Sequence, residues 1–481
     1  MSNIRRTKIV ATLGPASESP EVVDQLVQAG VNIVRLNFSH GTADDHVHRA
    51  EAVREAAARH GVIVGVLADM QGPKIRIGKF KTGKTWLEPG QSFILDAALP
   101  LEDGDDGRVG IAYKKLVDDV EPGARLLLND GLIVMDVEKV EGAEIHCSVV
   151  NGGELSNNKG INRAGGGLSA KALTDKDKED IKTAVRLGAD YIAISFPRSA
   201  EDIHEARDLI HKAGGQAGIV AKIERAEAVK NLEEILHASD AVMVARGDLG
   251  VEIGDAAVPP VQKRILRLAP KHLCPVIVAT QMMESMITNP VPTRAEVSDV
   301  ANAVLDGTDA VMLSGETASG NYPVETVRFM HQTCLETEKQ NVMPSMTTRS
   351  PREPQSVDEC IARMAMDTAK IMPIKAIAAY THSGNTTLYM SRHLGEVPIY
   401  ALTPFPATSG RVSLYRNVTP RVHDNSYTAE ASEAAIRDAE KHLVDAGLAD
   451  PGDLIVITLG TSMGRSGATN SMQIVRVGET D

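Results

Sequence analysis

From Lys8 onward, short apolar runs alternate with amphipathic stretches of helical period, which is the pattern of parallel βαβ units. Eight such runs are present: KIVATLG from Lys8, VNIVRLNFS from Val31, VIVGVLADM from Val62, YIAISF from Tyr191, GIVAKIE from Gly218, AVMVARGD from Ala241, VIVATQM from Val276 and AVMLSGE from Ala310. A helical pattern follows each, directly or after an insertion, and the eighth leads into residues 322–339. Eight β/α units predict a closed TIM (β/α)8 barrel.

Between the third and fourth runs the pattern breaks. Residues 71–169 hold Gly- and Asp-punctuated strands such as WLEPGQSFILDA and RLLLNDGLIVMDVEKV, and their period-two alternation predicts an inserted all-β domain, a β-barrel lid on the first. The barrel resumes at LTDKDKEDIKTAVRLGAD, where Thr174 with Asp177 three residues on reads as a helix cap. The stretch NVMPSMTTRSPREPQ, with three prolines, marks a second boundary. Beyond it, ECIARMAMDTAKIM reads as helix and AIAAYT, VPIYALT and DLIVITLG as buried strands. The predicted fold is thus α/β: a barrel from 1–70 and 170–343, an insert at 71–169 and a C-terminal α/β domain at 344–481.

A length of 481 residues fits about three domains. Fifty-one basic against 64 acidic residues leave a net charge of −13, and one Trp, eight Tyr and six Phe supply few stacking platforms, so nucleic acid is excluded as the expected partner. Small anions are not excluded, because a pocket can be locally basic. Cys147, Cys274, Cys334 and Cys360 are far apart with no CxxC pair, which points to a reduced, cytoplasmic compartment. No apolar stretch approaches the roughly 20 residues that span a bilayer, and no membrane partner is expected.

Polar residues collect at the C-terminal ends of the apolar runs. Arg35, Asn37, Ser39 and His40 follow the second, Asp69 the third, Lys222 and Glu224 the fifth, and Arg246, Gly247 and Asp248 the sixth. Thr280 and Gln281 follow the seventh, Ser314 and Glu316 the eighth. In a β/α barrel these ends converge on one face, where chemistry is assembled. Lys222, Glu224, Asp248 and Arg35 would bring two carboxylates and two cations to one mouth, a set suited to a divalent metal and a phosphorylated anion.

In order, IVRLNFSHG, MQGPKIR, VAKIERAEAV, VARGDLGVEI, VIVATQMMESM and PVPTRAEVSDVANAVLDGTDAVMLSGET resemble the signature segments of the pyruvate kinase family, and the linker SNNKGINRAGGGLSAKALTDKDK resembles its bacterial second-isozyme type. The resemblance covers nearly the whole chain. It implies phosphoryl transfer from phosphoenolpyruvate to ADP, giving ATP and pyruvate, the last step of glycolysis. It also implies Mg²⁺ (or Mn²⁺) held by Glu224 and Asp248. Lys222 and Arg35 would meet the phosphoryl group, Gly247 and Asp248 the substrate, and Thr280 the enolate carbon, with Ser314 and Glu316 in a proton relay. Asn37, His40, Arg76 and Lys159 would meet the nucleotide. Asn37, Ser39, Asp69 and the Met70 carbonyl resemble a monovalent-ion site. Many K⁺-dependent members read GPEIR where this chain has Lys74 in GPKIR, and a lysine there can place its own ammonium where a K⁺ charge would help. Weak or absent K⁺ activation is therefore expected. In the last domain, Thr381, Ser383, Asn385, Thr386 and Ser462 lie on hydroxyl- and glycine-rich loops that resemble the family's allosteric effector site, suited to a sugar phosphate or AMP. A homotetramer is implied. The rival reading is a Mg²⁺-enolate lyase of a pyruvate-like acid on the same barrel.

Two textual motifs mislead. Residues 78–85, GKFKTGKT, match a P-loop in letters, but TWLEPGQSFIL after them reads as strand and turn, not helix. Gly460, Ser462 and Gly464 spell GxSxG, yet the last histidine, His442, precedes them. His46 and His48, two apart, are expected on a solvated helix and not as paired ligands.

Overall fold

The structure is a computed structural model that describes residues 4–73, 75–340, 353–423, 432–460 and 467–479. All eight runs are parallel strands: β1 (Lys8–Leu13), β2 (Ile33–Asn37), β3 (Gly65–Asp69), β4 (Tyr191–Ile194), β5 (Gly218–Ile223), β6 (Ala241–Ala245), β7 (Val276–Ala279) and β8 (Ala310–Leu313). They close into a barrel in which each strand pairs with its sequence neighbours and β8 pairs with β1. Covered on both faces, such strands read as continuous apolar runs. The side chains alternate accordingly: Ile9, Ala11, Val34 and Leu36 pack with the surrounding helices, whereas Val10, Ile33, Leu67, Val220 and Met243 belong to a separate inner cluster. Of all barrel-strand residues, Arg35, Asn37 and Lys222 alone are half-buried; the rest are buried.

Several helices start with a satisfied N-terminus. Thr42 with Asp45, Thr174 with Asp177 and Thr293 with Glu296 each form a reciprocal capping box. Two of these boxes also brace loops at the barrel mouth. Asp177, fully buried, accepts from the Gly72 N–H at 3.0 Å, and Glu296 accepts from the Ser285 N–H at 2.7 Å.

The segment inserted after β3 has its own core, built on Phe93, Leu95, Leu126, Met135 and Ile145. Among the described residues its strands pair into a six-stranded and a two-stranded sheet. Isolated bridges at Arg76–Gly160 and Ile77–Ile111 link residues 76–77 to the chain beside both edge strands of the six-stranded sheet, Ile161–Arg163 and Arg108–Gly110, and a further bridge joins Phe80 to Gly104. The backbone at Gly78 crosses Leu101 closely, where an added Cβ would lie 2.4 Å from its carbonyl oxygen. A single helical turn, Leu116–Asp119, departs from the all-β expectation. The strand Lys84–Leu87 follows the P-loop look-alike, so no helix N-terminus is aimed at a phosphate there.

Past residue 353 a five-stranded sheet runs in the order Val418–Val422, Ile399–Thr403, Ile374–Tyr380, Leu454–Leu459, Ser471–Arg476, parallel except for the last pair. It docks on the N-terminal end of the barrel. Met366, Met390, Leu414 and Tyr415 join the barrel's inner cluster, and Lys8 Nζ donates to the Val418 carbonyl at 2.5 Å. Arg392 forms a two-pronged ion pair with buried Asp309, one prong at 3.0 Å. The opposite, C-terminal end of the barrel is left to the inserted segment.

Candidate active site

At that open end, neighbouring strands place charged groups in a chain. Arg35 on β2 donates from Nε to Asp69 Oδ2 at 2.6 Å and from Nη1 to Thr12 at 3.1 Å. Asp69, the last residue of β3, lies 3.3 Å through Oδ1 from Lys222 Nζ on β5, which also stands 2.9 Å from Glu224 Oε1. Lys222 donates to Ser195 Oγ at 2.7 Å, and Ser195 donates on to the Met70 carbonyl at 2.7 Å. The second oxygen of Glu224 accepts from the Phe196 N–H at 2.8 Å.

Burial sets the protonation here. It works against the Lys222 ammonium, but the Asp69 and Glu224 carboxylates outweigh it and hold the lysine firmly protonated. It pushes the Asp69 carboxyl up, yet Lys222 and Arg35 prevail and leave it below its usual range. For Glu224 burial wins: the carboxyl is pushed up to about 7 despite Lys222, with Asp248 and Asp69 adding repulsion. Asp248 is raised likewise by burial, against Lys222 and with Asp130 and Asp69 adding to it.

Such a site is short of positive charge. Buried Glu224 Oε1 and Asp69 Oδ1 have no hydrogen-bond donor, although Lys222 offers both its charge. Glu224 and Asp248 therefore fit a hard divalent cation. Among the described residues no group of three or more His, Cys, Asp or Glu side chains could hold a metal by itself. A pair of carboxylates that leaves the other positions to water and substrate is the usual arrangement for Mg²⁺.

The sequence matches the family model described as "Pyruvate kinase, barrel domain" over residues 4–327 and "Pyruvate kinase, alpha/beta domain" over residues 359–475. It is 51% identical to Pyruvate kinase II of Salmonella typhimurium, over 98% of this chain and 99% of the relative. Identity to the pyruvate kinase of Haemophilus influenzae is 51%, over 95% and 96% of the two chains. It is 42% to that of Mycobacterium tuberculosis, over 99% of each. The chain belongs to the pyruvate kinase family.

The other residues singled out for a pyruvate kinase fall into three groups. Thr280 and Gly247 meet at the mouth: the Gly247 N–H donates to Thr280 Oγ1 at 3.0 Å, and that hydroxyl donates to the Ala279 carbonyl at 2.7 Å. Thr280 and Gln281 adopt left-handed φ of 68° and 54°, a strained turn of the sort concentrated at functional sites. Arg246 is structural in its contacts, donating to Asp299 at 2.7 Å and to the Ala279 carbonyl at 3.1 Å. Ser314 is half-buried at the end of β8. Glu316, expected with Ser314 in a relay, is bonded to backbone through both oxygens. It is fully buried, and its two oxygens accept from the N–H groups of Met283 at 3.2 Å and Ser314 at 2.7 Å, so it clamps the ends of β7 and β8 together.

The second group concerns ions and nucleotide. Asn37 Oδ1 accepts from the Ser39 N–H at 3.1 Å, Asp69 is held by Arg35 and Lys222, and the Met70 carbonyl accepts from Ser195. Of the oxygens expected around a monovalent ion, Asn37 Oδ1, Asp69 Oδ2 and the Met70 carbonyl each already accept a hydrogen bond. Lys74 lies outside the described residues. Exposed His40 donates its N–H to the Asn37 carbonyl at 3.1 Å. Arg76 bridges Gly160 beside Lys159, whose carbonyl accepts from the Ile77 N–H, so the two cations lie on adjacent segments of the insert. Arg76, Asp130 and Asp248 line one cavity of about 160 Å³ between insert and barrel.

The third group lies in the C-terminal sheet. Thr381, Ser383, Asn385 and Thr386 gather at the start of the helix Asn385–Arg392, and Thr386 Oγ1 lies 2.8 Å from Thr469 Oγ1 of the other loop. Thr381 Oγ1 accepts from the Gly384 N–H at 2.9 Å. Ser462, and with it the GxSxG look-alike, lies outside the described residues. His48 is exposed as expected, but His46 is not. It is buried and stacked on Phe38 at 4.1 Å, and burial lowers its pKa to about 4. Sequence reasoning also passed over Thr12 and Ser195; the polar residue closing the run YIAISF was the one signal for the latter.

Proposed function

We propose that the chain transfers the phosphoryl group of phosphoenolpyruvate to ADP in a Mg²⁺-dependent reaction (Mn²⁺ substituting), giving ATP and pyruvate. The observation that carries this reading is the Lys222 ammonium held between Asp69, Glu224 and Ser195 at the barrel mouth, with Arg35 beside it. Phosphoryl transfer proceeds through a loose transition state with charge on three equatorial oxygens, so positioning and electrostatics do most of the work. Lys222 neutralises that charge, and Arg35, pinned to Asp69, clamps the same group. Glu224 and Asp248 would hold the Mg²⁺, which when bound supplies Lewis-acid neutralisation of substrate carboxylate and phosphoryl oxygens. The Thr280 hydroxyl, fixed between the Ala279 carbonyl and the Gly247 N–H, would sit by the enolate carbon and position the proton donor. Glu316 positions Ser314 by holding its backbone.

Residues 71–169 act in this reading as a lid that excludes water and brings Arg76 and Lys159 to the nucleotide. The return linker supports it. Gly165, Gly166 and Gly167 take left-handed φ of 79°, 83° and 98°, and Arg225 Nη1 donates to the carbonyls of Leu168 and Ala170 at 3.2 and 3.4 Å. The barrel, at 1–70 and 170–343, carries the chemistry, and residues 344–481 bind a phosphorylated effector, a sugar phosphate or AMP, at the loop pair around Thr386. A homotetramer in the cytoplasm completes the proposal. The four unpaired cysteines suit a reducing compartment, and among the described residues no helix is long and apolar enough to cross a membrane.

The test is ³¹P NMR of phosphoenolpyruvate with ADP and Mg²⁺. ATP signals should appear in step with the loss of the phosphoenolpyruvate signal, and their absence would favour the lyase reading. Replacing tetramethylammonium chloride by KCl at fixed ionic strength should change the rate less than about threefold, because a lysine at position 74 can supply the charge that K⁺ would bring. A large increase would overturn the K⁺ proposal.

A further inference from the structure

Ser195 is the first residue after β4, and beyond its bond to Lys222 it has no role in the proposed chemistry. It is 2% exposed. Its single proton goes to the Met70 carbonyl at 2.7 Å, so toward Lys222 the oxygen can only accept, as it does at 2.7 Å. The Lys222 ammonium thus donates to Ser195 Oγ and lies within ion-pairing distance of two further oxygens, Glu224 Oε1 and Asp69 Oδ1. Two of these are carboxylates that pull the ammonium toward themselves. The serine is the neutral third leg, and it fixes where between them the charge stands.

The support behind Ser195 is itself braced. Phe196 takes a left-handed φ of 57° while its N–H donates to Glu224 Oε2 at 2.8 Å. The Met70 N–H donates to the Ala193 carbonyl at 3.0 Å, so the accepting carbonyl is tied to the strand that carries the serine. Gly72 lies against the serine; a Cβ on it would stand 2.9 Å from Ser195 Cβ. A packing role alone would be served by alanine and would need neither the lysine nor the carbonyl.

We propose that Ser195 is a positioning residue for phosphoryl transfer, acting by setting the place of the Lys222 ammonium. This rests on the reading of Lys222 as the cation of the transfer, and a double-mutant cycle separates the two ideas. Steady-state kinetics with phosphoenolpyruvate, ADP and Mg²⁺ are measured for the wild type, Ser195→Ala, Lys222→Met and the double variant, with the Tm of each. Ser195→Ala should lower kcat by about 10- to 100-fold, the range typical of residues that orient a functional group. The KM for phosphoenolpyruvate should stay within about threefold and Tm within about 3 °C, because the loss is of transition-state stabilisation and not of fold. On the Lys222→Met background the same change should cost less than about twofold.

The proposal is overturned if Ser195→Ala stays within about twofold of wild type while Lys222→Met is crippled. It is equally overturned if the full loss persists on the Lys222→Met background, or if lost activity tracks a Tm drop of more than about 10 °C, either of which makes Ser195 a fold residue. Full activity in Lys222→Met would instead refute the role of the lysine, and with it this inference.

Discussion

Glu224 is the residue at which burial most directly invites a ligand. Its carboxyl is pushed from 4.5 to about 7 by burial, so in the folded protein it keeps a proton that the unfolded chain has already released. That stabilising contribution is complete below about pH 4.5 and is lost as the pH rises through about 7. A divalent cation competes with that proton, so its binding should tighten over the same window. The rise in Tm on adding saturating Mg²⁺ should therefore be larger at about pH 8 than at about pH 6, and Glu224→Gln should remove most of it. An increment independent of pH would contradict this account. Glu224, Lys222, Asp248 and Arg35 were legible because a charge at the end of an apolar run is conspicuous. Asp69 was legible as a site residue but not in its partners, since its contacts with Arg35 and Lys222 depend on β2, β3 and β5 leaning together. His46 was misread because its cover, Phe38, belongs to the loop before its own helix.

At the scale of elements, the helix Asp175–Arg186 shows how local and long-range signals merge. Its capping box was readable as Thr174 with Asp177 three residues on. The reach of Asp177 Oδ1 to the Gly72 N–H was not, because Gly72 lies 105 residues earlier. Thr174→Ala should cost about 1 kcal/mol, the usual value of a cap. Asp177→Ala should cost about 2–4 kcal/mol, since it also strands a buried N–H where the insert leaves the barrel. Urea unfolding of both variants checks the order, and equal losses would deny Asp177 its second role. The barrel strands were legible throughout because burial on both faces writes uninterrupted apolar runs. The turn Leu116–Asp119 and the strands Val418–Val422 and Ser471–Arg476 escaped notice, the strands because Pro420 and alternating polar residues mask them.

Across the whole molecule the barrel has two differently used ends: chemistry at the C-terminal ends of the strands, the α/β sheet at the N-terminal ends. The eight-unit barrel and the interruption after its third strand were visible in sequence. The docking was not, because Arg392 and Asp309 look like ordinary surface charges until the fold buries both. Arg392→Met should destabilise by about 3–5 kcal/mol, since it leaves a buried aspartate without its cation. A thermal scan should show that loss, and a Tm unchanged from wild type would mean that the contact is not held in solution. The chain's net charge of −13 coexists with Arg35 and Lys222 gathered at one mouth, so average sign says little about a site that handles phosphates.

The central claim is that Lys222 supplies the charge for phosphoryl transfer, and the most direct measurement compares Lys222→Met with wild type in initial rates of ATP formation from phosphoenolpyruvate and ADP at saturating Mg²⁺. The account requires kcat to fall by about 10³-fold, as when a preorganised electrostatic contact is lost, while phosphoenolpyruvate still binds; a variant that turns over at the wild-type rate would contradict it.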